Sequence, residues 1–325
     1  MRKNWRGAAA VFAAVAATLA LVACTTTGST TGTTTTPAAS KGPIVVGSKI
    51  DTEGSILGQI IIQVLESNGF KVTDKTRTGA TDVVRKALLS GQIDIYPEYT
   101  ANAILIFNKD AAGSDPTVLS SADKTYQAAK TLDAANGVVW LAAAPANNTW
   151  AVGLPKAFAD ANNLKSMTDW AAYINRGGIV KIVGSQEFFT SPAAMPAFEK
   201  AYGFKLTPAQ TVALATGDTA VTEKAASQGT DGANAAMVYG TDGTIAALNL
   251  VVLADPKAAQ PVYQPAPTVR KAVYAKYPEL ATILDPVFAK LDLKTLQTLN
   301  GDVAVGGKDP KTVAGDWLKA QGLLK

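Results

Sequence analysis

The chain has 325 residues, 47% of them hydrophobic and 17% charged, with a formal net charge of +4. That length suffices for two domains with real cores. It has no histidine and a single cysteine, Cys24, which excludes Ser-His-Asp and Cys-His catalysis, histidine metal sites, multi-cysteine zinc sites and any disulfide within one chain.

Arg2, Lys3 and Arg6 form a basic start, and no acidic residue occurs before Asp51. Without those three charges the chain is close to neutral and has no basic block, so nothing points to nucleic acid. Residues Ala8 to Val22 are apolar but too short for a comfortable membrane span, and Leu21-Val22-Ala23-Cys24 follows. The order of basic start, apolar run and small residues before a cysteine resembles a bacterial lipoprotein export signal. Residues 1–23 are therefore expected to be a signal peptide, with Cys24 the lipidated first residue of the mature protein. Residues 24–42, rich in Thr, Ser, Gly and Ala, cannot bury apolar surface and are expected to be a disordered tether.

Beyond the tether, short apolar runs alternate with helical patterns. Ile44 to Gly47 reads as a strand, Glu53 to Asn68 as a helix stopped by Gly69, Lys71 to Lys75 as a weaker strand, and Thr81 to Ser90 as a helix closed by Gly91. Ile93 to Tyr96 is an expected strand, Ser121 to Asn136 a helix and Val138 to Ala142 a strand. A second block follows: strands at Trp150 to Leu154, Ile179 to Gly184 and Ala235 to Tyr239, with helices from Pro155, Pro192 to Tyr202 and Thr219 to Gln228. After an apolar run at Leu250 to Ala254 and a Pro-rich stretch, Pro256 to Pro267, the remainder reads as helical: Val269 to Tyr277, Glu279 to Lys290, Leu293 to Asn300 and Lys311 to Leu323. The alternation predicts an α/β fold with at least partly parallel sheets.

An internal echo links the blocks. Each contains a helix, a glycine, a strand and a tyrosine, around Tyr99 and around Tyr239. In open α/β sheets ligands sit beyond the carboxyl ends of strands, so each block would deliver a ring to such a place. Tyr96 reads as structural. No nucleotide-binding loop is present, since Gly301 to Lys308 has the wrong glycine spacing. Asp94 and Glu98 could form a catalytic carboxylate pair, but an exposed turn is the better reading, because nothing else supports acid–base chemistry.

Five segments carry a resemblance. They are Val46-Gly47-Ser48-Lys49-Ile50-Asp51-Thr52-Glu53; Gly91-Gln92-Ile93-Asp94-Ile95-Tyr96-Pro97-Glu98-Tyr99-Thr100; Asn147-Asn148-Thr149-Trp150-Ala151-Val152; Glu187-Phe188-Phe189 with Pro196 to Phe204; and Val238-Tyr239-Gly240-Thr241-Asp242-Gly243. In this order the chain resembles the osmoprotectant-binding components of bacterial ABC importers, which take glycine betaine, choline, carnitine and related quaternary ammonium compounds. The resemblance implies a two-lobed clamshell of the periplasmic-binding-protein type (type II), with the ligand in the interlobe cleft. One lobe would comprise residues 43–145 and 255–325, the other residues 146–254.

What the resemblance implies for the site is an aromatic cage, because ring faces attract a methylated cation that cannot donate a hydrogen bond. Tyr99, Trp150 and Tyr239 match cage positions. Lys49 matches a position near the ligand and could pair with a betaine carboxylate. Asn148 and Thr100 are secondary contacts. Asn102 stands where relatives commonly carry a hydroxyl, and Thr190 lies where some carry an arginine. No fourth cage wall is identifiable. The expected protein is a monomeric, lipid-anchored, extracytoplasmic receptor that uses no cofactor or metal, has no enzymatic activity and hands its solute to a membrane permease. The alternatives are a clamshell for an amino acid or a betaine-like thione, an extracytoplasmic enzyme using carboxylates alone, and a structural envelope lipoprotein.

Overall fold

The computed structural model describes residues 41–109, 115–215 and 218–325. The expected export signal, Cys24 and nearly all of the tether lie outside the described residues. Among the described residues no helix is long and apolar enough to cross a membrane.

The described residues build two five-stranded sheets. The first has the order β2 (Phe70–Gly79), β1 (Lys41–Lys49), β3 (Ile95–Tyr99), β10 (Pro265–Arg270), β4 (Val138–Trp140). The second has the order β7 (Thr211–Leu214), β6 (Ile182–Ser185), β8 (Ala235–Tyr239), β5 (Trp150–Pro155), β9 (Leu250–Val252). The two orders match strand for strand. In each, three parallel strands are followed by one antiparallel strand and then an edge strand. The antiparallel strand is in each case the first strand laid down after the chain passes from one sheet to the other.

Apolar periodicity explains the layers. The helix Thr52–Ser67 is capped by Asp51, whose carboxylate accepts the Gly54 N–H at 2.7 Å. Ile56, Leu57, Ile60, Ile61 and Val64 on it are buried against β1 and β3 and against the C-terminal helices Glu279–Phe288, Leu293–Ala304 and Pro310–Ala320. Val84, Leu88, Tyr96, Ala129 and Trp140 fill the other face of that sheet. The second sheet packs Trp170, Phe188, Phe198 and Met237 on one side and a smaller cluster around Ala226 and Val238 on the other. Each sheet is thus covered on both faces, as parallel strands require.

Two expectations fail here. Val269 was expected to start a helix, yet Pro265–Arg270 is β10, in the interior of the first sheet, and the helix begins at Lys271. Prolines normally argue against an interior strand. Here the strand keeps its acceptor side: the carbonyls of Pro267 and Pro265 accept from the Leu141 and Ala144 N–H groups. Asp94 and Glu98 do not lie on an exposed turn. Asp94 accepts from Arg270 and from the Val45 N–H, and Glu98 is wholly buried within β3.

Candidate functional site

The parallel strands of both sheets end at one cavity of about 690 Å³. Lys49 ends β1, Tyr99 ends β3, Glu187 follows β6 and Tyr239 ends β8, and all four line it. This is where an open α/β sheet offers strand ends, loops and helix N-termini to a ligand. The wall combines side chains from both sheets with Tyr263, from the segment that returns to the first sheet.

Glu53 is the best-anchored group in the wall. It sits in the first turn of the Thr52–Ser67 helix, where the helix dipole favours an anion, and it is buried. Its Oε1 accepts the Tyr99 hydroxyl at 2.7 Å and the Asn148 amide at 3.1 Å, and its Oε2 accepts the Asn300 amide at 2.7 Å. All three donors are neutral. Burial pushes its carboxyl above the ordinary range, against the opposing effect of the hydrogen bonds from Thr241, Tyr99 and Asn300. Asn300 also donates to the Thr241 carbonyl at 2.8 Å. Both of its amide hydrogens are therefore engaged, and its Oδ1 is left without a partner, as is that of Asn148.

Lys49 already has a counter-charge. Its Nζ lies 2.6 Å from Glu98 Oε1 and 4.5 Å from the centre of the Tyr99 ring. Glu98 also accepts from the Tyr96 hydroxyl at 2.8 Å, the Asn102 amide at 2.9 Å and the Tyr99 N–H at 2.7 Å. Lys49, expected to meet a ligand carboxylate, is thus bound inside this network, and its ammonium lies over a face of Tyr99.

The second sheet supplies the open rings. Trp150 and Tyr239 are register partners across β5 and β8, stacked with centroids 6.2 Å apart at 23°. Phe188 backs Trp150 at 6.5 Å. Burial raises the phenols of Tyr239 and Tyr263 to about 12, so both remain neutral hydroxyls. Behind them lie two carboxyls, Glu223 and Asp242. Asp242 lines the cavity and accepts the Tyr239 N–H at 2.6 Å, while the Thr244 hydroxyl contacts Glu223. Burial, reinforced by Asp242, raises Glu223 to about 9, and burial raises Asp242 as well. Like charges this close retain a proton between them.

Of the residues expected at the site, Lys49, Tyr99, Asn102, Asn148, Trp150 and Tyr239 come together at the cavity. Thr100 and Thr190 do not line it. The Thr100 hydroxyl donates to the Val262 carbonyl and accepts the Gln264 N–H, which ties β3 to the returning segment. Thr190 is exposed at a helix end, its hydroxyl donating to the Gln186 carbonyl. Residue patterns had not singled out Glu53, Asn300 or Tyr263. The last is the one aromatic residue in the Pro-rich stretch, and that signal could have marked it as the missing wall.

Comparison with known proteins agrees with this picture. A profile of the substrate binding domain of ABC-type glycine betaine transport systems matches residues 42–320. The glycine betaine-binding protein YehZ of Escherichia coli K12 is 50% identical over 290 residues, covering 89% of this chain and 94% of that protein. A glycine-betaine-binding protein of Pseudomonas aeruginosa is 33% identical, covering 86% and 88% respectively. The solved structure of apo YehZ from Escherichia coli superposes with a TM-score of 0.76 at 52% identity, covering 87% of this chain and 99% of that one.

Proposed function

Because the chain belongs to the family of substrate-binding domains of ABC-type glycine betaine transport systems, we propose that it is an extracytoplasmic receptor for a quaternary ammonium solute such as glycine betaine or choline. It delivers that solute to a membrane permease. One lobe comprises residues 43–145 and 255–325, the other residues 146–254, and they close over the solute by hinge motion. The observation that carries this reading is the meeting of four rings, Tyr99, Trp150, Tyr239 and Tyr263, with the buried Glu53 and four further carboxyls in a single cavity at the strand ends of both sheets. Ring faces attract a methylated cation and tolerate its methyl groups, and carboxylates supply the opposite charge. A cavity built for hydrolysis would need an activated nucleophile or a positioned acid and base, and the buried carboxyls here are engaged with neutral donors, with Lys49 or with each other.

Titration calorimetry against choline, glycine betaine, carnitine, proline betaine and a set of amino acids tests the reading. Binding confined to the quaternary ammonium compounds supports it, and binding of amino acids alone refutes it. Anchoring through Cys24 is part of the proposal and rests on the Leu21-Val22-Ala23-Cys24 segment and the basic, apolar start before it. Labelled palmitate should enter the full chain in bacteria and be absent from C24A; equal labelling of both refutes lipidation at that residue.

A further inference from the structure

The helix Leu293–Ala304 belongs to the core of the first sheet, where Leu296 and Leu299 share one buried cluster with Ile44, Val46 and Ile60. The same helix also meets the loop that leaves β8 of the second sheet. The Gln297 amide donates to the Gly240 carbonyl at 2.8 Å, and the Asn300 amide donates to the next carbonyl, that of Thr241, at 2.8 Å. Residues three apart are neighbours on a helix surface, so two adjacent amides grip two successive carbonyls. These bonds cross directly from one sheet's body to the other's, without passing through the segments that join them.

Glycines let the two surfaces approach this closely. Gly301 stands inside the helix, where glycine costs stability relative to alanine. A Cβ there would lie 3.0 Å from the Gly243 carbonyl oxygen, and a Cβ on Gly243 would fall into the backbone of Asn300 and Gly301. Gly301, which fits no nucleotide-binding loop, is explained by this contact. On the other side of the loop, a Cβ on Gly240 would lie 2.4 Å from the carbonyl oxygen of Asn147, in the segment that enters the second sheet. The loop is thus clasped between the helix and that segment. Its first residue follows Tyr239, which lines the cavity.

We infer that Gln297, Asn300, Gly243 and Gly301 form a latch between the two lobes, which holds them together before any solute arrives and presets Tyr239 opposite the first-sheet wall of the cavity. This rests on the two-lobed, hinged reading above and not on the choice of solute. Gln297 does not line the cavity, so it acts on binding only through the Gly240 loop and is a positioning residue. A receptor that binds only when closed loses apparent affinity in proportion to the fraction of molecules standing open. The latch raises the closed fraction without touching the solute.

Small-angle scattering on the unliganded full chain, paired with calorimetry against glycine betaine, tests the latch. Q297M keeps the length and helix propensity of glutamine but lacks its donor. It should show a larger unliganded radius of gyration than the parent and weaken glycine betaine by up to about fivefold, the equilibrium factor carried by one neutral hydrogen bond. Q297K, which restores a donor at that position, should return both values toward the parent. G301A, favoured within the helix itself, sets a methyl group against the Gly243 carbonyl and should enlarge the unliganded particle as Q297M does. Saturating ligand should bring parent and variants to one radius, which a loss of local structure alone would not do. Unliganded radii of Q297M and G301A equal to the parent's overturn the inference. So does a parent that contracts on saturation as far as the variants do. The unliganded comparison needs no solute, so failure of every quaternary ammonium compound to bind would refute the proposed function and leave the latch to be decided by the radius.

Discussion

Removing the indole at position 150 isolates the aromatic contribution to binding. Trp150 and Tyr239 are neighbours on adjacent strands, with ring centroids 6.2 Å apart at 23°, and both line the cavity. A cation resting on Trp150 gains one ring face from it. Desolvated cation–π contacts are worth about 2 kcal/mol, with tryptophan the strongest partner. Since each 1.4 kcal/mol is tenfold in Kd, W150A should weaken a quaternary ammonium ligand by about 30-fold. Trp150 is only half-buried and lies at the start of β5, outside the fully buried part of its core, so the fold should survive. The measurement is titration calorimetry on W150A beside W150F, with far-UV circular dichroism as the control for folding. W150F should recover part of the loss, because phenylalanine keeps a ring face. Affinity within about threefold of the parent, in a folded W150A, would show that the cation does not rest on this ring.

Two further outcomes concern stability. Glu223 is raised from the ordinary carboxyl range to about 9 by burial and by Asp242, so its neutral form is the one the fold favours. The stability this gives is complete below the unfolded carboxyl pKa and is lost as pH rises toward 9. E223Q, which mimics the neutral acid, should raise Tm relative to the parent at pH 8.5 and do so less at pH 5; an equal shift at both values would exclude the proton. Asp133 is buried and accepts from Arg85 Nη1 at 3.0 Å and from the Trp140 indole at 2.8 Å. D133A strands a buried guanidinium and should cost about 3–5 kcal/mol in urea unfolding. A loss below about 1 kcal/mol would mean that Arg85 finds water or another partner.

How far the sequence foretold this molecule depended on whether one residue's role was set locally. The helix Thr219–Gln228, closed by Gly229 in the left-handed region at φ 66°, and the strand Ala235–Tyr239 lie at their expected bounds, since cap, apolar period and stop signal sit within a few residues of each other. The repeated helix–glycine–strand–tyrosine pattern led to Tyr99 and Tyr239 for the same reason. β10 was missed because its prolines oppose a strand, and only partners far off in sequence make them tolerable. Glu53 was missed because an acid in a first helical turn already has a sufficient local explanation in the helix dipole. What gives it another role is Asn300, 247 residues away. Thr100 erred the other way: its hydroxyl suits a ligand, but the segment arriving at Val262 and Gln264 takes both of its bonds.

The same long-range contacts explain why occupancy of this cavity would be felt throughout the molecule. Asn148 and Tyr263 belong to the two segments joining the sheets, and the Asn148 N–H donates to the Tyr263 carbonyl at 2.9 Å. Asn300 holds Glu53, beside the first sheet, and the Thr241 carbonyl, beyond the end of β8. Nearby, the backbones of Gly243 and Gly301 meet so closely that a Cβ on Gly243 would lie 1.9 Å from the Gly301 nitrogen. Glu53 is thus bonded to residues that touch both sheets and one of the joining segments. A ligand that changes its charge state would alter hydrogen bonds to residues beside both sheets at once. The closure proposed above would then follow from differential affinity between open and closed arrangements, which is the only way a ligand shifts such an equilibrium. A solute held by Trp150 and Tyr239 alone would contact one sheet and leave that equilibrium where it was.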